Sequence, residues 1–226
     1  MTYSIIIPIY NEIQKLSTLI KKLRNLDNSS IEIIIINDGS TDGSVEILND
    51  TNQFVIINNE TNLGKGLSVN RGLKSASMEN IILIDGDLEV DIDDIPKLIK
   101  SYENSNCDAL VGIRWEKGNN YKLDINTTGN HIINNIFNKL FSSSLNDVLC
   151  CVKILDTKLF RSLNISSIGF GLEVEIMTKL VMRESRILEE FIKYNRRTVS
   201  EGKKLKLSDG WIILWTMIKF RLIKIN

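Results

Sequence analysis

The sequence is poor in the residues that build several common chemistries. It has one histidine, His131, in 226 residues, so no Ser/His/Asp or Cys/His constellation assembles and its chemistry is expected to need no histidine base. Its three cysteines, Cys107, Cys150 and Cys151, are odd in number, two of them adjacent, with no CxxC spacing. That pattern excludes a disulfide framework and a zinc site. Net charge is also missing: 28 Lys+Arg balance 28 Asp+Glu, which leaves no basic excess for a nucleic-acid partner. The longest late apolar run, residues 211–218, falls far short of the roughly 20 residues that span a bilayer. The opening MTYSIIIPIY has no basic leader or cleavage site and reads as a strand, so the chain is expected in the cytoplasm.

What is present is a globular composition with a lopsided charge. Hydrophobic residues make up 43% and charged residues 25%, and the length suits one domain with a sizeable core. From Lys193 to Asn226 there are nine Lys/Arg against two Asp/Glu, whereas the first 192 residues carry 19 against 26. An acidic body with a basic tail suggests contact with phosphate or a lipid surface; the plainer reading is a solvated basic face. The division expected is one domain over residues 1–195 and a basic segment over 196–226, with a membrane-surface helix candidate within it.

Short β-branched runs at residues 4–9, 31–36, 54–57, 81–84 and 109–113 alternate with helical patterns. The first such helix places Ile13, Leu16, Leu19, Ile20, Leu23 and Leu26 on one face. This alternation implies an α/β fold, a mostly parallel sheet between helices. The second half is less regular, with helices expected over 130–141, 172–184 and 211–225 and strands near 152–155 and 187–194.

In such sheets ligands bind beyond the carboxyl ends of the strands. Three runs here end in polar residues: Tyr10-Asn11-Glu12, Asn37-Asp38-Gly39-Ser40 and Asp85-Gly86-Asp87. Helix capping would explain one such ending, but three converging endings point to a site. DGDLEVDIDD, residues 85–94, holds six acids and no base. Carboxylates this dense repel unless a cation or water separates them, and oxygen ligands favour Mg²⁺ or Mn²⁺. Gly86 between the two aspartates would let a ligand approach the backbone. Val90 and Pro96 stand where an EF-hand needs Gly and Glu. Asn62-Leu63-Gly64-Lys65-Gly66 is not a Walker A loop, because Gly66 replaces the required Ser or Thr. Glu173 and Glu175 are candidates for a base or for ordinary hydrogen bonds. Arg196, Arg197, Lys203 and Lys204 are candidates for holding phosphate oxygens.

Taken together, SIIIPIYNE, IIINDGSTDGS, NLGKGLSVNRGL and ILIDGDLEVD, in that order and spacing, resemble the family 2 glycosyltransferases with the GT-A fold. LNDVLCCVKILDTKLF, GFGLEVEI and the basic stretch before SDGW are similar to the dolichyl- or polyprenyl-phosphate sugar synthase branch. The resemblance implies that Pro8, Tyr10, Glu12 and Asp38 frame a nucleoside, with Lys65 near that pocket. It implies that Asp85 and Asp87 form a DxD motif whose Mg²⁺ or Mn²⁺ bridges the donor diphosphate, with Glu89 as a third contact. Arg114 matches an arginine near the reacting phosphates, and Asp147, Glu173 and Glu175 match branch positions. No arginine occurs between Arg114 and Arg161 where the branch often has one, so acceptor-phosphate binding falls to Arg114, Arg197 and Lys203.

The function implied is inverting transfer of a sugar from a GDP-mannose or UDP-glucose type donor to a polyprenyl or dolichyl phosphate, at the inner membrane face. A GT-A enzyme acting on a saccharide hydroxyl, with Glu173 or Glu175 as base, and a nucleotide-binding module without catalysis are the alternatives.

Overall fold

The computed structural model describes residues 1–26, 29–115, 125–169, 171–197 and 207–222. Among these, seven strands form one sheet: β1 (Tyr3–Ile9), β2 (Ile31–Asn37), β3 (Val55–Asn58), β4 (Asn80–Leu83), β5 (Ala109–Ile113), β6 (Lys153–Asp156) and β7 (Ile187–Phe191). Their spatial order is β3-β2-β1-β4-β6-β5-β7. Strand β6 runs antiparallel to β4 and β5, and the other pairings are parallel. The mostly parallel α/β fold expected from the alternation is therefore the one observed. The reversal of β6 is new: a fully covered strand shows the same apolar run whichever way it points.

Alternate residues of a strand face opposite sides, and both sides of this sheet are covered. Ile5, Ile7 and Ile9 of β1 join one apolar cluster with Leu16, Leu19, Ile20, Leu23 and Leu26 of α1 (Ile13–Leu26), Leu48 of α2 (Ser44–Asn49) and Leu98 and Tyr102 of α4 (Ile95–Glu103). Ile13, expected on the same face of α1, is more than a third exposed at the helix start. Ile6 joins a second cluster with residues of α3 (Lys65–Ser75), α5 (Ile125–Phe141), α6 (Thr157–Ser162), α7 (Leu172–Met182) and α8 (Leu207–Leu222).

Helix α7 is buried on all sides from Leu172 to Leu180, and α8 packs against it and against α5. Ile213, Met217 and Phe220 are the inner face of α8. Because the parallel strands share a direction, the carboxyl ends of β1, β2, β4, β5 and β7 lie along one edge. The register Leu83↔Lys153 brings the start of β6 to the same edge.

Candidate active site

Chain reversals after the strands load this edge with charge. After β1, Asn11 turns the chain with a positive φ of 51°, a conformation asparagine tolerates. Its amide oxygen accepts from Thr41 N at 2.8 Å, and its own N donates to Ser40 Oγ at 2.9 Å, tying the ends of β1 and β2. Glu12 then begins α1, its carbonyl accepting from Lys15 and Leu16, while its side chain is buried and points back to the edge. After β4, Leu88 turns the chain with φ 58°, and Asp87 Oδ1 accepts from Glu89 N at 2.9 Å.

Two basic side chains organise the acids so gathered. Lys65, at the start of α3, places its ammonium 2.6 Å from Asp85 Oδ1 and hydrogen-bonds Glu173 on α7. Burial works against its charge, but Asp85 and Glu173 overcome this and hold it well above the ordinary lysine range. Arg197 is 7% exposed; Nη1 donates to Glu12 Oε2 at 2.8 Å and Nη2 to Asp87 Oδ2 at 2.7 Å. Its backbone N donates to Glu89 Oε1 at 3.0 Å, and Tyr194 Oη donates to Glu89 Oε2 at 2.7 Å. Burial, with Asp85 and Glu89 adding and Arg197 opposing, pushes the Asp87 carboxyl up to about 6.

The second arginine site adjoins the first through Tyr194. Arg114, just past β5, forms a two-pronged pair with Asp147, Nε to Oδ2 at 2.7 Å and Nη2 to Oδ1 at 2.8 Å. Its guanidinium carbon lies 4.5 Å from the Trp115 ring centroid and 5.3 Å from that of Tyr194. Lys153, fully buried, donates to Cys150 O, and burial lowers its affinity for a proton despite the nearby Glu173.

Glu12, Lys65, Asp85, Asp87, Glu89, Glu173 and Arg197 thus meet, with Arg114 alongside. Other expected site residues have different surroundings. The buried Asp38 carboxylate accepts from Asn59 Nδ2, Leu63 N and Gly64 N at 2.7, 2.9 and 2.9 Å, so it shapes the loop before Lys65. Glu175, expected at the reacting centre, accepts from Ser166 N, Ser167 N and Lys179 Nζ at 2.8, 2.6 and 2.5 Å and braces the 166–167 loop. At Gly86 a Cβ would lie 2.3 Å from Ile9 Cγ2, so the glycine there admits the neighbouring strand's side chain. Pro8 sits opposite Ile36 near the end of β1, and half-buried Tyr10 follows that strand. Lys203 lies outside the described residues. Tyr194, absent from the sequence-based expectations, joins Glu89 to Arg114; as an ordinary strand-end aromatic it carries no motif that would have marked it.

The donor set suits a divalent cation. Five carboxylates (Glu12, Asp85, Asp87, Glu89 and Glu173) supply oxygen ligands and outnumber the two basic side chains paired with them. Among the described residues no three acidic, histidine or cysteine side chains stand ready to share a metal. The guanidinium of Arg197 lies between Glu12, Asp87 and Glu89.

Residues 4–163 match the model of glycosyl transferase family 2. An uncharacterized protein of Methanocaldococcus jannaschii is 29% identical over 86% of this chain and 90% of its own. Dodecaprenyl-phosphate galacturonate synthase of Rhizobium johnstonii is 26% identical over 72% of this chain, and dolichol-phosphate mannosyltransferase of Pyrococcus furiosus 33% identical over 52%. The chain spans 50% and 34% of the lengths of those two relatives. Among solved structures, glucosyl-3-phosphoglycerate synthase of Mycobacterium tuberculosis, in complex with Mn²⁺, uridine diphosphate and glucosyl-3-phosphoglycerate, superposes with a TM-score of 0.77. The alignment covers 100% of this chain and 81% of the synthase at 18% identity, a likeness of fold.

Proposed function

The chain belongs to glycosyl transferase family 2, and on that premise we propose that it transfers a sugar from a nucleotide-diphosphate sugar to the phosphate of a polyprenyl or dolichyl phosphate, with inversion. The observation that carries this is the strand-end site, where three further carboxylates and two cations surround Asp85 and Asp87 beside a braced arginine. Asp85 and Asp87 would hold Mg²⁺ or Mn²⁺, which when bound offsets the charge of the departing diphosphate. Lys65 is fixed between Asp85 and Glu173, so its ammonium is pre-oriented beside the donor phosphates, and Arg114 is pre-oriented by Asp147 for the acceptor phosphate.

In the transfer an acceptor phosphate oxygen forms a bond to the anomeric carbon while the bond from that carbon to the diphosphate breaks. A phosphate monoester is already ionised near neutral pH, so no side chain has to remove a proton. Catalysis then rests on positioning and electrostatics. This suits a site in which Glu173 is paired with Lys65 and Glu175 with Lys179, leaving neither placed as the base that a saccharide hydroxyl would require. The names of two relatives, which act with dodecaprenyl and dolichol phosphates, support the same acceptor.

A lipid acceptor calls for a membrane surface. Among the described residues no helix is long and apolar enough to cross a bilayer. Helix α8 instead presents Trp211, Trp215, Ile218 and Leu222 outward, 76%, 67%, 44% and 78% exposed, beside Lys219 and Arg221. Tryptophan with flanking cations suits the headgroup boundary, which supports peripheral attachment.

Transfer of labelled sugar into organic-extractable lipid tests the proposal, using UDP- and GDP-sugar panels with Mg²⁺ or Mn²⁺ and polyprenyl phosphate. Lipid label that vanishes with EDTA, and falls about 100-fold or more in Asp87→Asn, is the expected result. Metal-dependent donor hydrolysis without lipid label would discard the acceptor.

A further inference from the structure

Arg197 is poorly explained as a simple structural cation. Its two terminal nitrogens reach carboxylates on different strand-end segments, Glu12 after β1 and Asp87 after β4. Its third edge is not satisfied: Nε lies 3.7 Å from Glu89 Oε1, beyond hydrogen-bonding distance, and is buried with no acceptor among the described residues. A buried donor without an acceptor is costly, so the contact trades one defect for the relief of three crowded carboxylates. The guanidinium therefore stands where the charge of this site calls for a cation, in a fit that is incomplete.

We propose that Arg197, bridging Glu12, Asp87 and Glu89, is a tethered resident cation that a divalent metal must displace from Asp87 when metal and nucleotide enter. The inference rests on the reading that Asp85 and Asp87 hold the metal. A metal held by Asp87 would share the carboxylate whose Oδ2 accepts from Arg197 Nη2 at 2.7 Å, so one negative charge would have to serve two cations lying close together. The chain next to Arg197 is anchored independently of that contact. Tyr194 pairs with Val90 and hydrogen-bonds Glu89, and Asn195 N donates to Glu89 O at 2.7 Å. The side chain can therefore leave Asp87 by rotating while residues 194–195 stay in place. Once displaced, the guanidinium needs a new anion, which a nucleoside diphosphate supplies. Metal and nucleotide then bind cooperatively because each removes an obstacle to the other.

Mn²⁺ binding, read from the free-ion EPR signal on the full chain, tests this without any turnover. Arg197→Ala and the bulkier, neutral Arg197→Gln should bind Mn²⁺ about tenfold or more tightly than the unmodified protein when no nucleotide is present. Millimolar guanidinium ion should weaken binding to Arg197→Ala back toward the unmodified level, a rescue that loss of a purely structural contact would not give. Adding UDP or GDP should raise Mn²⁺ affinity strongly in the unmodified protein and much less in either variant. If the variants, folded by circular dichroism, bind nucleotide-free Mn²⁺ no better than the unmodified protein, the inference falls while the metal reading stands. If no form binds Mn²⁺ with either nucleotide, both fall.

Discussion

Glu173 and Glu175 are two positions apart on α7, and at 3.6 residues per turn they leave the helix roughly 200° apart. One therefore reaches Lys65 at the strand-end site while the other turns to Ser166, Ser167 and Lys179. Burial alone would raise the Glu175 carboxyl, but the hydrogen bonds from Lys179, Ser167 and Ser166 prevail and hold it below the ordinary glutamate value of 4.5. A carboxyl lowered in the folded state stabilises that state above its unfolded pKa, and the contribution fades as the pH drops through the folded value. Glu175→Gln should accordingly cost about 3 kcal/mol at pH 7, because Lys179 is left with a neutral partner in a buried setting. Urea denaturation at a series of pH values should show the gap between the two proteins full above pH 4.5 and closing below it. A gap unchanged down to pH 3 would mean that the carboxylate charge is not what matters. The motif GFGLEVE placed both acids near the site; helix phase, itself readable from the sequence, is what separates them.

The strand and helix pattern of the first half was legible because each element carries its own signal. The runs at 4–9, 31–36 and 81–84 fall within or beside β1, β2 and β4, and the acids after them share one edge because the strands are parallel. Contacts between distant segments were not legible, since no local pattern encodes them. Lys65 and Gly66 of NLGKG open α3, but the reason for Gly66 lies about a hundred residues away. A Cβ there would come 1.7 Å from Ser167 O, and Gly66 N donates to Ile168 O at 2.7 Å. The start of α3 therefore lies directly against the 167–168 backbone, which Glu175 braces from the other side. Gly66→Ala should push these segments apart and shift Lys65 from its place between Asp85 and Glu173. Nucleotide affinity by calorimetry should drop about tenfold, with a stability loss of about 1–3 kcal/mol from the overpacked contact. Unchanged nucleotide affinity in a folded Gly66→Ala protein would show that this junction does not position the site.

Across the whole molecule, the charge imbalance and the apolar end of the sequence describe one surface with two loyalties. The last helix is a membrane-surface candidate by sequence, but α8 is apolar around most of its circumference and periodicity cannot choose which face it buries. The structure assigns Ile213, Met217 and Phe220 to the core and leaves Trp211, Trp215, Ile218 and Leu222 exposed. Removing the helix is consequently a poor test of membrane attachment. Deletion from residue 207 onward would uncover α7 and lose three buried apolar side chains, a cost of about 6 kcal/mol or more. That is comparable to the total stability of many domains, so the truncated chain should lose its cooperative melting transition and its nucleotide binding together. The double variant Trp211→Ser, Trp215→Ser alters the outward face alone. It should melt within about 2 °C of the unmodified protein, since both side chains are mostly in solvent. Flotation with vesicles containing anionic lipid should fall sharply in the double variant, while sugar transfer to a short, water-soluble prenyl phosphate should persist. Retained flotation would show that the two tryptophans do not make the membrane contact and would shift it to the basic residues from Lys193 onward.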